Sequence, residues 1–210
     1  MRERRYGLFS ALWELLRTPA PPGYRGYLAF GWLILLLFAV QVVTGILLSF
    51  YYQPSPEMAS KSVEYIMRDV DSGWLVRGMH HWAAQGMIAL GFVQLLKVIL
   101  TGAYRGARSA SWYLGLLLLL LVIAFAASGA LLAWDNRAYW AADSALGRVE
   151  ALPFLGPTLA TTLRGGSEVG AGTLSRAYSG HVLLLPWLTV TLVVVNLWLL
   201  ARRRPLVEES

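Results

Sequence analysis

The chain has 210 residues, 57% of them hydrophobic and only 14% charged, with a formal net charge of +6. That balance lies far from an average soluble domain and excludes one, leaving a membrane protein. With no cysteine, the chain forms no disulfide and no thiolate or thioether bond to a prosthetic group, so any redox centre must be held by other ligands.

The positive charge suggests nucleic acid until its positions are read. Arg2, Arg4, Arg5, Arg17 and Arg25 precede the first apolar run, Lys97 near the end of the second is joined by Arg105 and Arg108 before the third, and Arg202 to Arg204 follow the fourth. By the positive-inside rule these clusters mark one side, which puts both termini in the cytoplasm and predicts no nucleic-acid partner. Nine tryptophans and ten tyrosines suit the two membrane interfaces.

In chain order, residues 1–26 hold "GLFSALWELLR" followed by "PAPP", which predicts an amphipathic helix lying on the cytoplasmic membrane surface, in contact with lipid. Four apolar runs follow at about 27–51, 78–101, 112–134 and 180–201, each long enough for a hydrocarbon core, which takes roughly 20 helical residues. The fold class is therefore all-α, a four-helix transmembrane bundle over 27–201 with a cytoplasmic tail at 202–210. The connection from 135 to 179 is too long for a turn, and "LPFLGPTLATTLRGG" within it reads as short interfacial helices on the outer face. The aromatic and acidic residues of "AWDNRAYW" suit an interfacial belt with a helix cap or, alternatively, a binding-site wall at the outer surface.

The second run is the least apolar, with His80, His81, Gln85 and Gln94; polar groups at membrane depth face a bundle interior and mark sites. Gly31 and Gly45 in the first run, and Gly115 and Gly129 in the third, are each 14 residues apart. That is close to four turns, so each pair shares a face at two levels roughly 21 Å apart. Such glycines serve either close helix approach or a flat object lying against the helix. His80 opens the second run and His181 the fourth. Two neutral imidazoles from facing helices suit the axial positions of a b-type haem; a structural hydrogen bond is the alternative for either one.

The stretches "VQVVTGILLSFYYQP", "VEYIMRDVDSGWLVRGMHHW", "LTGAYRGAR", "SGALLAWDNRAYW", "LPFLGPTL" and "LRGGSEVGAGTLSRAYSGHVLLLPWLT" together resemble the cytochrome b proteins of quinol-oxidising complexes, in particular the short four-helix b6 form. The resemblance covers nearly the whole chain. It implies that His80 and His181 ligate an outer haem, that Arg77 pairs with a propionate of that haem, and that Gln41, Gly45 and Gly129 line its pocket. In the family a second, inner haem is tied 14 and 15 residues further on, where this chain has Gln94 and Asn196. Neither amide is a good iron ligand. His81 lies about 100° round the helix from His80 and is read as an interfacial cation or hydrogen-bond donor, so three histidines build one haem site. Gly31, Gly115 and Arg108, which would face the inner haem, are retained; Ala29 stands where the b6 form has a haem-anchoring cysteine, and Ala133 where a proline is usual. For the vacated level the expectations are a Gln94–Asn196 hydrogen bond across the bundle, a cavity filled by side chains, lipid or quinone, or a haem held by a partner subunit.

The resemblance further implies a bacterial cytoplasmic membrane, one haem b per chain on the periplasmic side, and quinone or quinol as a second ligand. Its partners would be a Rieske iron–sulfur protein, a separate three-helix subunit corresponding to the family's second half, a c-type cytochrome and a second copy of the chain. The chain would then carry electrons without being catalytic alone. Two other classes stay open: a haem-bearing membrane anchor relaying electrons between a periplasmic oxidoreductase and the quinone pool, and a scaffold without electron transfer.

Overall fold

The computed structural model describes residues 22–102, 104 and 109–202, with side chains from 30 to 200. The amphipathic segment expected within 1–26, apart from residues 22–26, lies outside the described residues, as does Arg108. All described regular structure is helical: α1 (Pro22–Ser49), α2 (Ala59–Arg68), α3 (Gly73–Leu100), α4 (Ser109–Leu131), α5 (Asn136–Glu150), α6 (Gly156–Arg164), α7 (Ala171–Ser179), a π-turn (Gly180–Leu184) and α8 (Leu185–Arg202).

Four helices are long and apolar enough to cross a membrane: α1, α3, α4, and α7 with the π-turn and α8, which run on as one rod over Ala171–Leu200. The fourth rod therefore begins well before residue 180. α3 packs against α1 and α4, and α4 packs against α8. The outward faces carry Leu36, Trp82, Phe92 and Trp187, all at least half exposed, an arrangement that lipid tails stabilise and water does not. Few apolar side chains are fully buried, because in lipid the interior of a bundle need be no greasier than its exterior.

The short helices close one end. α2 buries Ala59, Ser62 and Ile66 from a single face against α3. The chain then reverses at Ser72, held at φ 59°, and Gly73, where a Cβ would lie 2.0 Å from the Ile66 carbonyl oxygen. No residue with a side chain fits there. After α4, Trp134 adopts φ 48° and Asp135 caps α5 by accepting from the Ala138 N–H at 2.7 Å, the cap expected of "AWDNRAYW". Ala133 donates its N–H to the Ala130 carbonyl at 3.3 Å, a bond that a proline at this position cannot make. α5, α6 and α7 then fold back over one another, so the long connection is built of short helices.

A tyrosine fastens this end together. The Tyr52 hydroxyl donates to the Leu132 carbonyl at 2.8 Å, joining the ends of α1 and α4, and its ring stacks on Tyr178 of α7 at 5.6 Å. Burial first, and Tyr178 second, push the Tyr52 phenol above its ordinary value. A phenol whose folded pKa is raised contributes stability that is full below its unfolded pKa of about 10 and is lost as pH rises through the folded value. Tyr52→Phe should therefore cost about 1 kcal/mol near neutral pH, the lost hydrogen bond. It should also flatten the decline in thermal stability of the detergent-solubilised protein above about pH 10. An unchanged alkaline decline would show that another group causes it.

Candidate cofactor site

α3 runs antiparallel to α1 and α4, and the fourth rod antiparallel to α4, so the start of each descending helix faces the end of an ascending one. His80, two turns into α3, and His181, in the π-turn, meet in that way with ring centroids 6.2 Å apart and planes inclined at 56°. Each imidazole is held twice. The Nδ1 of His80 is 2.9 Å from Thr44 Oγ1, and the Nδ1 of His181 is 3.0 Å from Ser128 Oγ. Both hydroxyls already give their proton to their own helix, Thr44 to the Val40 carbonyl at 2.6 Å and Ser128 to the Ala124 carbonyl at 2.7 Å. Each Nδ1 must then be the donor, which fixes the tautomer and leaves the Nε2 lone pair free on both rings.

The next residue in each helix is the second hold. A Cβ on Gly45 would lie 3.3 Å from His80 Cε1, and one on Gly129 would lie 2.8 Å from His181 Cε1. These two glycines seat the imidazole edges. The hydroxyl residues Thr44 and Ser128 escaped the sequence reading. Their signal was a hydroxyl immediately before each of the two glycines at this level, in "VVTG" and "AASG". Phe125 adds an edge-on contact to His181 at 5.3 Å.

Arg77, one turn before His80, is half-buried and donates to the Met67 sulfur at 3.7 Å. Among the described residues it has no carboxylate within ion-pair reach, so its charge faces this end of the bundle uncompensated. Gln41, one turn below Gly45, has a buried Oε1 without a partner. His81 points away, exposed and edge-on to Trp82 at 5.6 Å. Among the described residues no three His, Cys, Asp or Glu side chains gather around a common point. The donor set is therefore two imidazoles, which suits a metal whose remaining positions are filled by something other than protein.

The far level of the bundle differs. His80 to Gln94 is 14 residues and His181 to Asn196 is 15, and the π-turn absorbs the odd one. Pro186 has no N–H and its ring crowds the carbonyl of Val182; just before it, the Leu185 N–H reaches back five residues to the Gly180 carbonyl. A π-turn inserts one residue into a helix, so Asn196 keeps the register with His181 that Gln94 keeps with His80. The two amides do not bond to each other: Gln94 Oε1 and Asn196 Oδ1 are both buried without a partner, which overturns the expected cross-bundle pair. The reason is the helix arrangement, in which α3 and α8 are each packed on α4 rather than principally on one another. Gly31 and Gly115 have nothing within 4 Å of the place a Cβ would take.

The two levels therefore respond differently to a methyl group. Gly129→Ala should destabilise the solubilised protein by about 1–3 kcal/mol, the usual range for overpacking, and Gly45→Ala by less. Gly31→Ala and Gly115→Ala should be neutral or stabilising by up to about 1 kcal/mol, the helix propensity gain. Thermal unfolding of the four variants checks the order, and equal losses at both levels would contradict it.

A model of the family described as Cytochrome b/b6/petB matches residues 15–204. The chain is similar to cytochrome b6 of Porphyra purpurea, with 37% identity over 183 residues, 87% of this chain and 85% of that one. It is likewise similar to cytochrome b6 of Mastigocladus laminosus, with 36% identity over 183 residues and the same coverage, 87% and 85%. Among solved structures it resembles a chain of a hyperthermophilic respiratory Complex III, with a TM-score of 0.76 and 31% identity over 86% of this chain. The chain spans about half of that solved chain, 48% of its length.

Proposed function

The chain belongs to the cytochrome b/b6 family, and on that footing we propose that it is an electron-transfer subunit of a quinol-oxidising membrane complex, holding a single haem b between His80 and His181. Haem binding, electron transport and a membrane setting come with the family. The reading of this particular site is carried by one observation: two facing imidazoles, 6.2 Å apart between centroids, whose Nδ1 atoms are both engaged by hydroxyls.

The residues fit the group. Two imidazoles ligating one metal from opposite sides have ring centroids about 6 Å apart, given metal–nitrogen bonds of about 2.0–2.1 Å, and the observed separation is 6.2 Å. Arg77 offers a cation without a carboxylate partner at the same end, suited to a propionate. Gln41 brings an unpaired amide to the same level. When bound, the haem supplies reversible one-electron exchange. The protein supplies the rest. Thr44 and Ser128 orient the rings and raise their basicity; His80 and His181 would hold the haem, and ligation by two imidazoles would suit it to electron transfer rather than oxygen chemistry. The Arg77 charge favours the reduced state by lowering the energy of an added electron nearby.

At the far level, Gln94 and Asn196 replace the imidazoles that a second haem needs, so this reading has one haem on the periplasmic side and none on the cytoplasmic side. Transfer straight across the membrane within one chain then ends, and electrons leave sideways to another subunit or across a homodimer. A Rieske iron–sulfur protein, a three-helix subunit equivalent to the family's second half and a c-type cytochrome are the partners this reading requires, with quinol as the electron source.

A pyridine haemochrome assay on the purified complex should give one haem b per chain, falling to none in His80→Ala and His181→Ala. A count of zero in the native chain would sink the reading, and a count of two would refute the assignment of the far level. Ser128→Ala should weaken haem retention about 10–100-fold, the usual effect of removing a partner of a ligating histidine. In a potentiometric titration Arg77→Gln should lower the haem midpoint potential, and a rise or no change would remove Arg77 from the role given to it.

A further inference from the structure

The interior below the histidine pair holds more polar groups than one haem uses. Gln94 Oε1, Asn196 Oδ1, Ser111 Oγ and Thr189 Oγ1 are all buried without a hydrogen-bond partner. The hydroxyls are the informative pair. Elsewhere in the spanning helices serine and threonine hydroxyls bond back to their own backbone: Thr44 to Val40, Ser128 to Ala124 and Thr191 to Trp187. That is the ordinary way to satisfy a hydroxyl in lipid. Thr189 does not do this, although it is only 3% exposed; Ser111, in the first turn of α4, has no carbonyl four residues back in its own helix and is left without a partner.

Their depths form a series. Counting along the helices at about 1.5 Å per residue, Thr189 lies about 12 Å below His181, Gln94 about 21 Å below His80, and Ser111 about 26 Å below Ser128. Ser111 is also one turn from Gly115 on the same face, and the space beside Gly115 and Gly31 is open. We propose that this level takes water: a file of ordered waters running from the amide end of the bundle, past Ser111, Gln94 and Asn196, as far as Thr189.

The chemistry of the groups selects the occupant. An acyl chain would leave every one of them unpaired, and a second haem would lack imidazoles for its iron. Water both donates and accepts, so it satisfies hydroxyls and amides alike in either amide orientation. The file brings the aqueous phase at the amide end to within about 12 Å of the histidine pair, along the half of the bundle that the vacated amide level leaves free. The proposal rests on the reading that no second haem occupies that level.

Met87 reports on the file. It lies on α3 seven residues past His80, level with Thr189, and is 5% exposed. Millisecond X-ray radiolysis of the purified complex in 18O-water generates hydroxyl radicals from bound water, and a methionine beside such water is oxidised even when bulk solvent cannot reach it. Native Met87 should acquire 18O, and the double variant Thr189→Val/Asn196→Leu should lose that labelling while keeping its haem. Thr191→Val, where the hydroxyl is back-bonded on an exposed face, should label as the native chain does. An unlabelled native Met87 overturns the file, and so does labelling that survives the double variant. The haem count separates the two readings: one haem with Met87 shielded overturns the file alone, whereas two haems overturn the vacancy on which it rests.

Discussion

The contact on which the rest of this bundle depends is the meeting of His80 and His181 across its interior, with each ring pinned by a hydroxyl and seated on a glycine. Two polar rings in a membrane interior are costly unless each nitrogen has a purpose. The Thr44-Gly45 and Ser128-Gly129 pairs provide for one nitrogen of each ring, the hydroxyl accepting from Nδ1 and the glycine admitting the ring edge. The two rings meet because α1 and α4 deliver the holders from one direction while α3 and the π-turn deliver the histidines from the other. The Tyr52 clasp and the folded-back α5 to α7 segment close the same end of the bundle.

The π-turn at Gly180–Leu184 shows how one local irregularity preserves a global register. The second and fourth spanning helices differ by one residue between levels, a difference that would rotate Asn196 by about 100° in an unbroken α-helix. The widened turn before Pro186 removes that offset. The same irregularity carries His181, in keeping with the frequent placement of π-turns at functional positions.

At the far level the same scaffold carries Gln94 and Asn196. The glycines remain, opening onto space rather than onto imidazoles, and the amides that replace histidine stay unpaired. Leu121 and Met87 fill other parts of the interior with apolar side chains. The two amides at this level instead leave this half of the membrane interior in need of hydrogen-bond partners.

Much of this was legible in the residues. Four apolar runs, the basic clusters between them, the 14-residue glycine spacing and the placement of His80 and His181 determined the all-helical bundle and its two levels, because lipid permits few other solutions for such runs. Three histidines set a ceiling of one imidazole pair by arithmetic alone. What only the tertiary structure decided were facts about neighbours on different helices. Examples are the part played by Thr44 and Ser128, the seating of the rings on Gly45 and Gly129, and the failure of Gln94 and Asn196 to meet. Helix periodicity says which face a residue occupies, but not the separation or rotation of the helix opposite. Those are set by side-chain fit between helices, and it is they that decide whether two polar groups at the same depth bond to each other or stand apart.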